Sequence, residues 1–318
     1  MTIYEKYTGR SRESFSSFSD LTKNYKVTCD ENFNFAYDVL DVLGTEKPDK
    51  LCMVWTAETG EDKSITFSEM MKYSNKTANY FKSLGIKKGD TVLLVLKRSY
   101  LFWYCMMALH KIGAIAVQAT HLLTEKDYIY RCNAAEIKMA VITGDNDCTS
   151  HFDAGFSAYE TVELKAVTKG KDAGPNWLPF EEGIEAASDI WERPTGKEAT
   201  KATDRMLLSF SSGTTGYPKM VVHDYTYALG HLVTGVFWHR VVDGGLHFTI
   251  SDTGWLKSLW GKMYGQWLGE SAVFVYDFDK FNAASILKMI EKYRITTFCV
   301  PPTMYRFMLN EKISDYNL

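Results

Sequence analysis

From Phe67 to Leu84 the positions Met70, Met71, Thr77, Ala78, Phe81 and Leu84 return at the three- and four-residue spacing of a helix with one buried face. Thr66 and Glu69 are placed for reciprocal capping at its start, and Gly85 closes it. After the Gly89-Asp90 turn, Thr91 to Leu96 is an unbroken aliphatic run, the pattern of a strand covered on both faces. The same reading predicts a helix over 100–112, a strand over 114–117, a helix over 125–134 and a strand over 139–143. Alternation of this kind predicts an α/β fold with a parallel sheet and helices on its faces.

From Thr168 to Asp204 the aliphatic runs stop and Gly, Pro, Lys and Glu gather, predicting a surface connection with a short helix near 182–190. Beyond it come a strand over 206–210, a helix over 225–238 and strands over 246–250 and 272–276. A helix over 283–293, a strand over 295–300 and a helix after Pro301-Pro302 complete the series. The expected organisation is an N-terminal extension (1–31), a first α/β subdomain (32–167), the connection (168–204) and a second, incomplete α/β subdomain (205–318). The fold class is α/β, with two parallel or mixed β-sheet subdomains flanked by helices.

The 318 residues are 46% hydrophobic, enough for a large core, and the formal net charge of -3 supplies no field for nucleic acid or an anionic membrane. The six cysteines are scattered without a close pair, so neither a zinc spacing nor a redox pair can be read. The N-terminus lacks a secretory apolar run, and the most apolar stretch, 101–119, is interrupted by His110, Lys111 and Gln118. A cytoplasmic protein with reduced thiols and no membrane span is expected.

The chemistry concentrates after the strand at 206–210. Ser211, Ser212, Gly213, Thr214, Thr215, Gly216, Tyr217, Pro218 and Lys219 combine hydroxyls, glycines free to turn successive N–H groups inward, and one mobile cation. Such a turn suits a polyphosphate. It is not a Walker A loop, because Pro218 and Met220 flank the lysine. A Ser/Gly surface turn is the plain alternative.

This segment resembles the signature loop of the adenylate-forming superfamily, matching its pattern of Ser/Thr, Ser, Gly, Thr, Thr/Ser, Gly, any residue, Pro, Lys throughout. Further similarity to the N-terminal half of acyl-CoA synthetases, the medium-chain branch above all, lies at 32–41, at 85–90 and in Asp127-Tyr128-Ile129-Tyr130-Arg131. Ser251 to Trp260 and Thr297 to Arg306 match the motifs that border the carboxylate substrate. The similarity thins over 145–204, and Gln118-Ala119-Thr120 stands where relatives carry a proline, a departure read as a loop detail.

The resemblance implies an ATP-dependent acid–thiol ligase: a carboxylic acid and ATP give an acyl-adenylate and pyrophosphate, and coenzyme A then takes the acyl group. Ser211 to Gly216 and Lys219 would hold phosphate, and Trp255 and Leu256 would border the acyl pocket. The magnesium-ligating glutamate and the catalytic lysine of the family have no counterpart up to Leu318. No catalytic residue is therefore assigned here, and the chain is expected to be inactive or nearly so alone, with apolar surface left open to self-association. Two alternatives stay open: a non-catalytic phosphate- or acyl-binding or assembly module, and a ligase for aryl or amino acids.

Other chemistry-bearing residues have plainer readings. His223, His231 and His239 recur every eight residues, but no His-Glu-x-x-His or Cys/His pairing accompanies them, so no metal site is assigned. Asp252 reads as a helix N-cap ahead of Trp255, with a polar pocket residue as the alternative. Trp255 itself fits a core position as well as a pocket wall, and Phe102-Trp103-Tyr104 with Met106-Met107 reads as packing.

Overall fold

The computed structural model describes the whole chain except Lys171, Asp172, Pro175 and Ser212 to Thr215. Its strands are β1 (Leu51–Ala57), β2 (Asp62–Thr66), β3 (Thr91–Val95), β4 (Ile115–Gln118), β5 (Ile137–Thr143), β6 (Leu164–Thr168) and β7 (Leu178–Pro179), followed by β8 (Arg205–Ser211), β9 (Lys219–Asp224), β10 (Leu246–Thr249), β11 (Ala272–Asp277) and β12 (Thr297–Cys299). The helices used below are α1 (Ile3–Thr8), α2 (Phe67–Ser83), α3 (Leu101–Ile112), α4 (Glu125–Ala134), α5 (Tyr227–Val233), α6 (Leu256–Gly261), α7 (Ala283–Lys292) and α8 (Pro302–Met308).

Two sheets form, one in the order β12-β10-β11-β1-β2 and one in the order β7-β6-β5-β3-β4-β8-β9. All pairings are parallel except the hairpins β1–β2 and β8–β9. Alternate strand residues point to opposite faces, and the core divides accordingly. Val92 and Leu94 of β3 join Met53 and Trp55 of β1, Val273 and Val275 of β11 and the apolar residues of α2 and α3 in a central core. Leu93 and Val95 face outward with Tyr128 and Cys132 of α4, while Val54, Phe248 and Phe274 pack under α7. The result is five layers, helices alternating with sheets. All twelve residues of α3 are buried because the helix lies between both sheets.

The local expectations hold closely. In α2 the Thr66–Glu69 capping box is formed in both directions, at 2.8 and 3.2 Å, and Gly85 leaves the helix at φ 84°. The organisation differs in how strands are shared. β8 lies beside β4, pairing Ala116 with Leu207, rather than beginning a separate sheet with β10 and β11. β1, absent from the sequence expectations despite its Cys52–Trp55 run, sits beside β11. Each sheet thus takes strands from both sides of the 168–204 connection, because apolar runs specify that a strand is buried but not which edge it joins.

The connection itself carries β7 and a helix at Phe180–Ala186, earlier than expected. Its later part is pinned across the surface by Asn79 to the Ser188 and Ile190 carbonyls, by the Trp191 indole to Tyr37 and by Arg193 to Asp38.

The N-terminal residues are integral to the fold. Ile3, Tyr4 and Tyr7 of α1 are buried, and the Ile3 N–H donates to Glu270 at 2.9 Å. Burial pushes the Glu270 carboxyl up, but its bonds from Lys47, the Ile3 amide and Lys50 outweigh this and hold it below the usual carboxylate range. A depressed carboxyl stabilises the fold above its unfolded pKa and ceases to do so as pH falls through the folded one. Glu270→Gln should cost ~1–3 kcal/mol at pH 7 in urea unfolding, and the gap should close in acid. A gap that persists unchanged in acid would reject the charge-based account.

Candidate functional site

The carboxyl ends of parallel strands are where open α/β sheets bind ligands, and here those ends from the two sheets meet. The Thr253 hydroxyl, beyond β10, donates to the Lys97 carbonyl, beyond β3. Arg98 Nη1 donates to the Phe278 carbonyl beyond β11 at 2.7 Å, and the Trp55 indole donates to the Arg98 carbonyl at 2.8 Å. Gly254 lies so close to the segment beyond β4 that a Cβ there would stand 2.3 Å from the Thr120 nitrogen. Only glycine allows this approach.

The expected phosphate turn is the hairpin between β8 and β9. Ser211 ends β8 and pairs with Lys219, the first residue of β9, and the Ser211 hydroxyl donates to the Lys219 carbonyl at 3.3 Å. Ser212, Gly213, Thr214 and Thr215 lie outside the described residues. Gly216 has φ 106°, a left-handed conformation suited to glycine, and the Lys219 side chain is exposed. Tyr130 of α4 braces the turn: its hydroxyl donates to the Pro218 carbonyl at 2.8 Å and its ring stacks on Tyr217. The register that sets Val117 beside Leu208 brings Thr120 level with Ser211. The 251–254 loop is therefore one strand away from the turn.

Trp255 and Leu256 begin the helix that this loop feeds. Trp255 is 62% exposed, so it is not a core residue, while Leu256 packs partly against the central core. Asp252 does not cap that helix. The capping position is Trp255, which makes no side-chain cap. Instead Asp252 is buried, accepts from the Gly254 N–H at 2.9 Å and stands 3.4 Å from His121 Nδ1. Burial pushes the Asp252 carboxyl up, but His121, the Gly254 amide and Arg98 together hold it below its ordinary value.

Several residues at this junction carried no local sequence signal. Gln118 is the last residue of β4 rather than a loop residue, is buried, and makes no side-chain hydrogen bond among the described residues. Arg98 Nε, Asp252 Oδ2 and Asp277 Oδ1 are likewise buried and unbonded. Unpaired buried polar atoms are costly and uncommon in folded proteins, so their concentration here marks a place built for polar contact.

The histidines form an aromatic column. His231 and His239 both stack on Trp260, and His239 stands 4.6 Å from His247, which bonds Thr297 and Thr249. Burial pushes His231 and His239 down to about 4 and His247 down to about 3, so all three are neutral at physiological pH. Among the described residues no three His, Cys, Asp or Glu side chains converge to hold a metal ion. The described carboxylates and imidazoles therefore do not by themselves form a magnesium site.

Comparisons with known proteins bear on the family and the fold. The sequence pattern of the family described as AMP-binding enzyme matches residues 41–317. The human mitochondrial acyl-coenzyme A synthetase ACSM3 is 32% identical over 311 residues, 96% of this chain and 52% of that protein. Human mitochondrial ACSM5 is 32% identical over 293 residues, 90% of this chain and 49% of that protein. The chain thus spans about half the length of these relatives. The anthranilate CoA ligase AuaEII, solved with anthranoyl-AMP, superposes with a TM-score of 0.79 at 22% identity, covering 91% of this chain and 54% of that one. An acyl-CoA synthetase of Brucella canis also superposes at 0.79, with 18% identity over 92% of this chain and 53% of its own. At such identities the two structures speak for the fold alone. With the family pattern running across most of its length, the chain belongs to the AMP-binding enzyme family.

Proposed function

We propose that this chain is the ATP- and acid-holding part of an ATP-dependent acyl-CoA ligase. The observation that carries the reading is positional. A hairpin of hydroxyls and glycines ending in an exposed lysine stands at the carboxyl end of β8, and the loop leading to Trp255 and Leu256 is pressed against the neighbouring strand end.

In the proposed reaction a carboxylate oxygen bonds to the α-phosphorus of ATP while the bond from that phosphorus to the bridging oxygen breaks, and pyrophosphate leaves with the electron pair. The thiol of coenzyme A then displaces AMP from the acyl-adenylate. Catalysis of phosphoryl transfer is chiefly positioning and charge stabilisation. Lys219 would neutralise charge on the β- and γ-phosphates, and the amides and hydroxyls of 211–216 would fix their direction. Magnesium, where it is bound, would neutralise phosphate charge; the described residues offer no cluster of three His, Cys, Asp or Glu side chains to hold it. Trp255 and Leu256 would flank the acyl chain.

The names of the relatives point to a simple acyl chain, and AuaEII to an aromatic acid. The medium-chain acyl reading is proposed because the 251–260 motif belongs with the former.

Calorimetric titration of ATP into the purified chain tests the reading. Lys219→Ala should weaken ATP binding about tenfold or more, the loss of one charge-assisted bond of ~1.5–3 kcal/mol. Because Lys219 is exposed, the melting temperature should stay unchanged. Equal ATP affinity in the two proteins would refute the phosphate assignment.

A further inference from the structure

Lys262 follows α6 and is 1% exposed. Its backbone is engaged in ordinary packing: the N–H donates to the Ser258 carbonyl at 2.9 Å, and the carbonyl accepts from the Trp103 indole at 2.9 Å. The side chain turns back instead of seeking water. Among the described residues its Nζ has one hydrogen-bond partner, the Ser251 carbonyl, to which it donates at 2.6 Å.

Burying an amine for a single hydrogen bond is unfavourable compared with an apolar side chain of like volume. Its presence therefore calls for a task beyond filling space. The Ser251 carbonyl opens the loop whose remaining anchors are the Asp252 acceptor for the Gly254 N–H, the Thr253 bond to Lys97 and the contact of Gly254 with Thr120. Lys262 is the anchor from below, from within the helix layer that the loop itself initiates.

We propose that Lys262 is a positioning residue whose amine grips the Ser251 carbonyl and so sets the loop that presents Trp255 and Leu256 to the carboxylate substrate. This rests on the reading of that loop as the border of the acid site.

The charged groups facing Lys262 are Arg98 beyond β3, Asp252 beyond β10 and Asp277 at the end of β11, with His247 of β10 also near. Burial, and then Arg98, push the amine down to about 7 against the pull of the two aspartates. The grip is consequently strongest below neutrality, where the donor is charged, and relaxes as pH rises.

Hydrogen exchange of the full chain, without nucleotide, reads the grip directly. Lys262→Met, which keeps length and removes the donor, should speed exchange of the Gly254 and Trp255 amides at least tenfold while β11 amides keep their protection. In the wild type, after correction for intrinsic exchange, protection of those two amides should fall between pH 6 and 8 and that of β11 should not. The pH series stands even if the variant fails to fold. Unchanged protection of Gly254 and Trp255 across the wild-type pH series overturns the proposal, as does unchanged protection in a folded Lys262→Met. Since the ATP titration of Lys219→Ala is a separate measurement, either inference can fail without the other.

Discussion

Asp41→Ala is expected to remove about 3–5 kcal/mol of folding stability, a large part of the ~5–15 kcal/mol typical of a folded domain. The reason is the lysine left behind. Lys111 lies on α3, its side chain 0% exposed, with Nζ 2.7 Å from Asp41 Oδ1 and 2.5 Å from Asn75 Oδ1. Without Asp41 the buried ammonium keeps one neutral acceptor, Asn75. Burial raises the Asp41 carboxyl and lowers the Lys111 ammonium, in each case against the attraction of the partner. Desolvation therefore exceeds pairing, and the intact pair is not a net source of stability.

It follows that Asp41→Leu combined with Lys111→Met should recover most of what Asp41→Ala loses. The depressed lysine also means that the folded chain holds fewer protons than the unfolded one. Stability from this group should accordingly climb as pH rises toward the ordinary lysine value of 10.5. Urea unfolding of the three proteins decides the matter. An Asp41→Ala protein as stable as the wild type would show that Lys111 is not a trapped charge.

Gly254→Ala should have the second large effect, and on the site as well as on stability. The new Cβ would lie 2.3 Å from the Thr120 nitrogen, 2.4 Å from its Cα and 2.5 Å from the Ala119 carbonyl carbon. These are backbone atoms at a strand end, so no side chain can swing aside. Relief requires the 251–254 loop to withdraw, which breaks the Thr253–Lys97 bond and separates Asp252 from His121. Overpacking alone costs ~1–3 kcal/mol, and the lost contacts bring the expected total to about 3 kcal/mol or more. ATP affinity should suffer less than the affinity for a carboxylic acid, since the β8–β9 hairpin is anchored separately by Tyr130. A variant matching the wild type in urea midpoint would show that the two loops are not locked together.

The candidate phosphate turn stands out in one dimension because its signal is dense and contiguous. Composition alone singles out the turn from Ser211 to Lys219 as a candidate anion site, and the structure adds that its two ends are paired across a hairpin. Asp252 was misread for an instructive reason. A carboxylate three residues before Trp255 resembles a cap in sequence, but His121, distant in sequence, supplies an imidazole neighbour that local spacing cannot reveal. Gln118 and Lys262 left no trace, since nothing within a few residues of either predicts that it will be buried at a meeting of two sheets.

Capping, periodicity and aliphatic runs act within one turn or one strand, so α2, α3, β3 and β8 could be placed from residue order, together with the α/β class. Which strands became neighbours could not. β1 beside β11 and β4 beside β8 arise from burying all faces of two twisted sheets at once, a choice made by the entire chain. The same packing drives Gly254 onto Thr120 and Lys262 under Ser251, because contacts between segments far apart in sequence exist only after the core that carries them has closed.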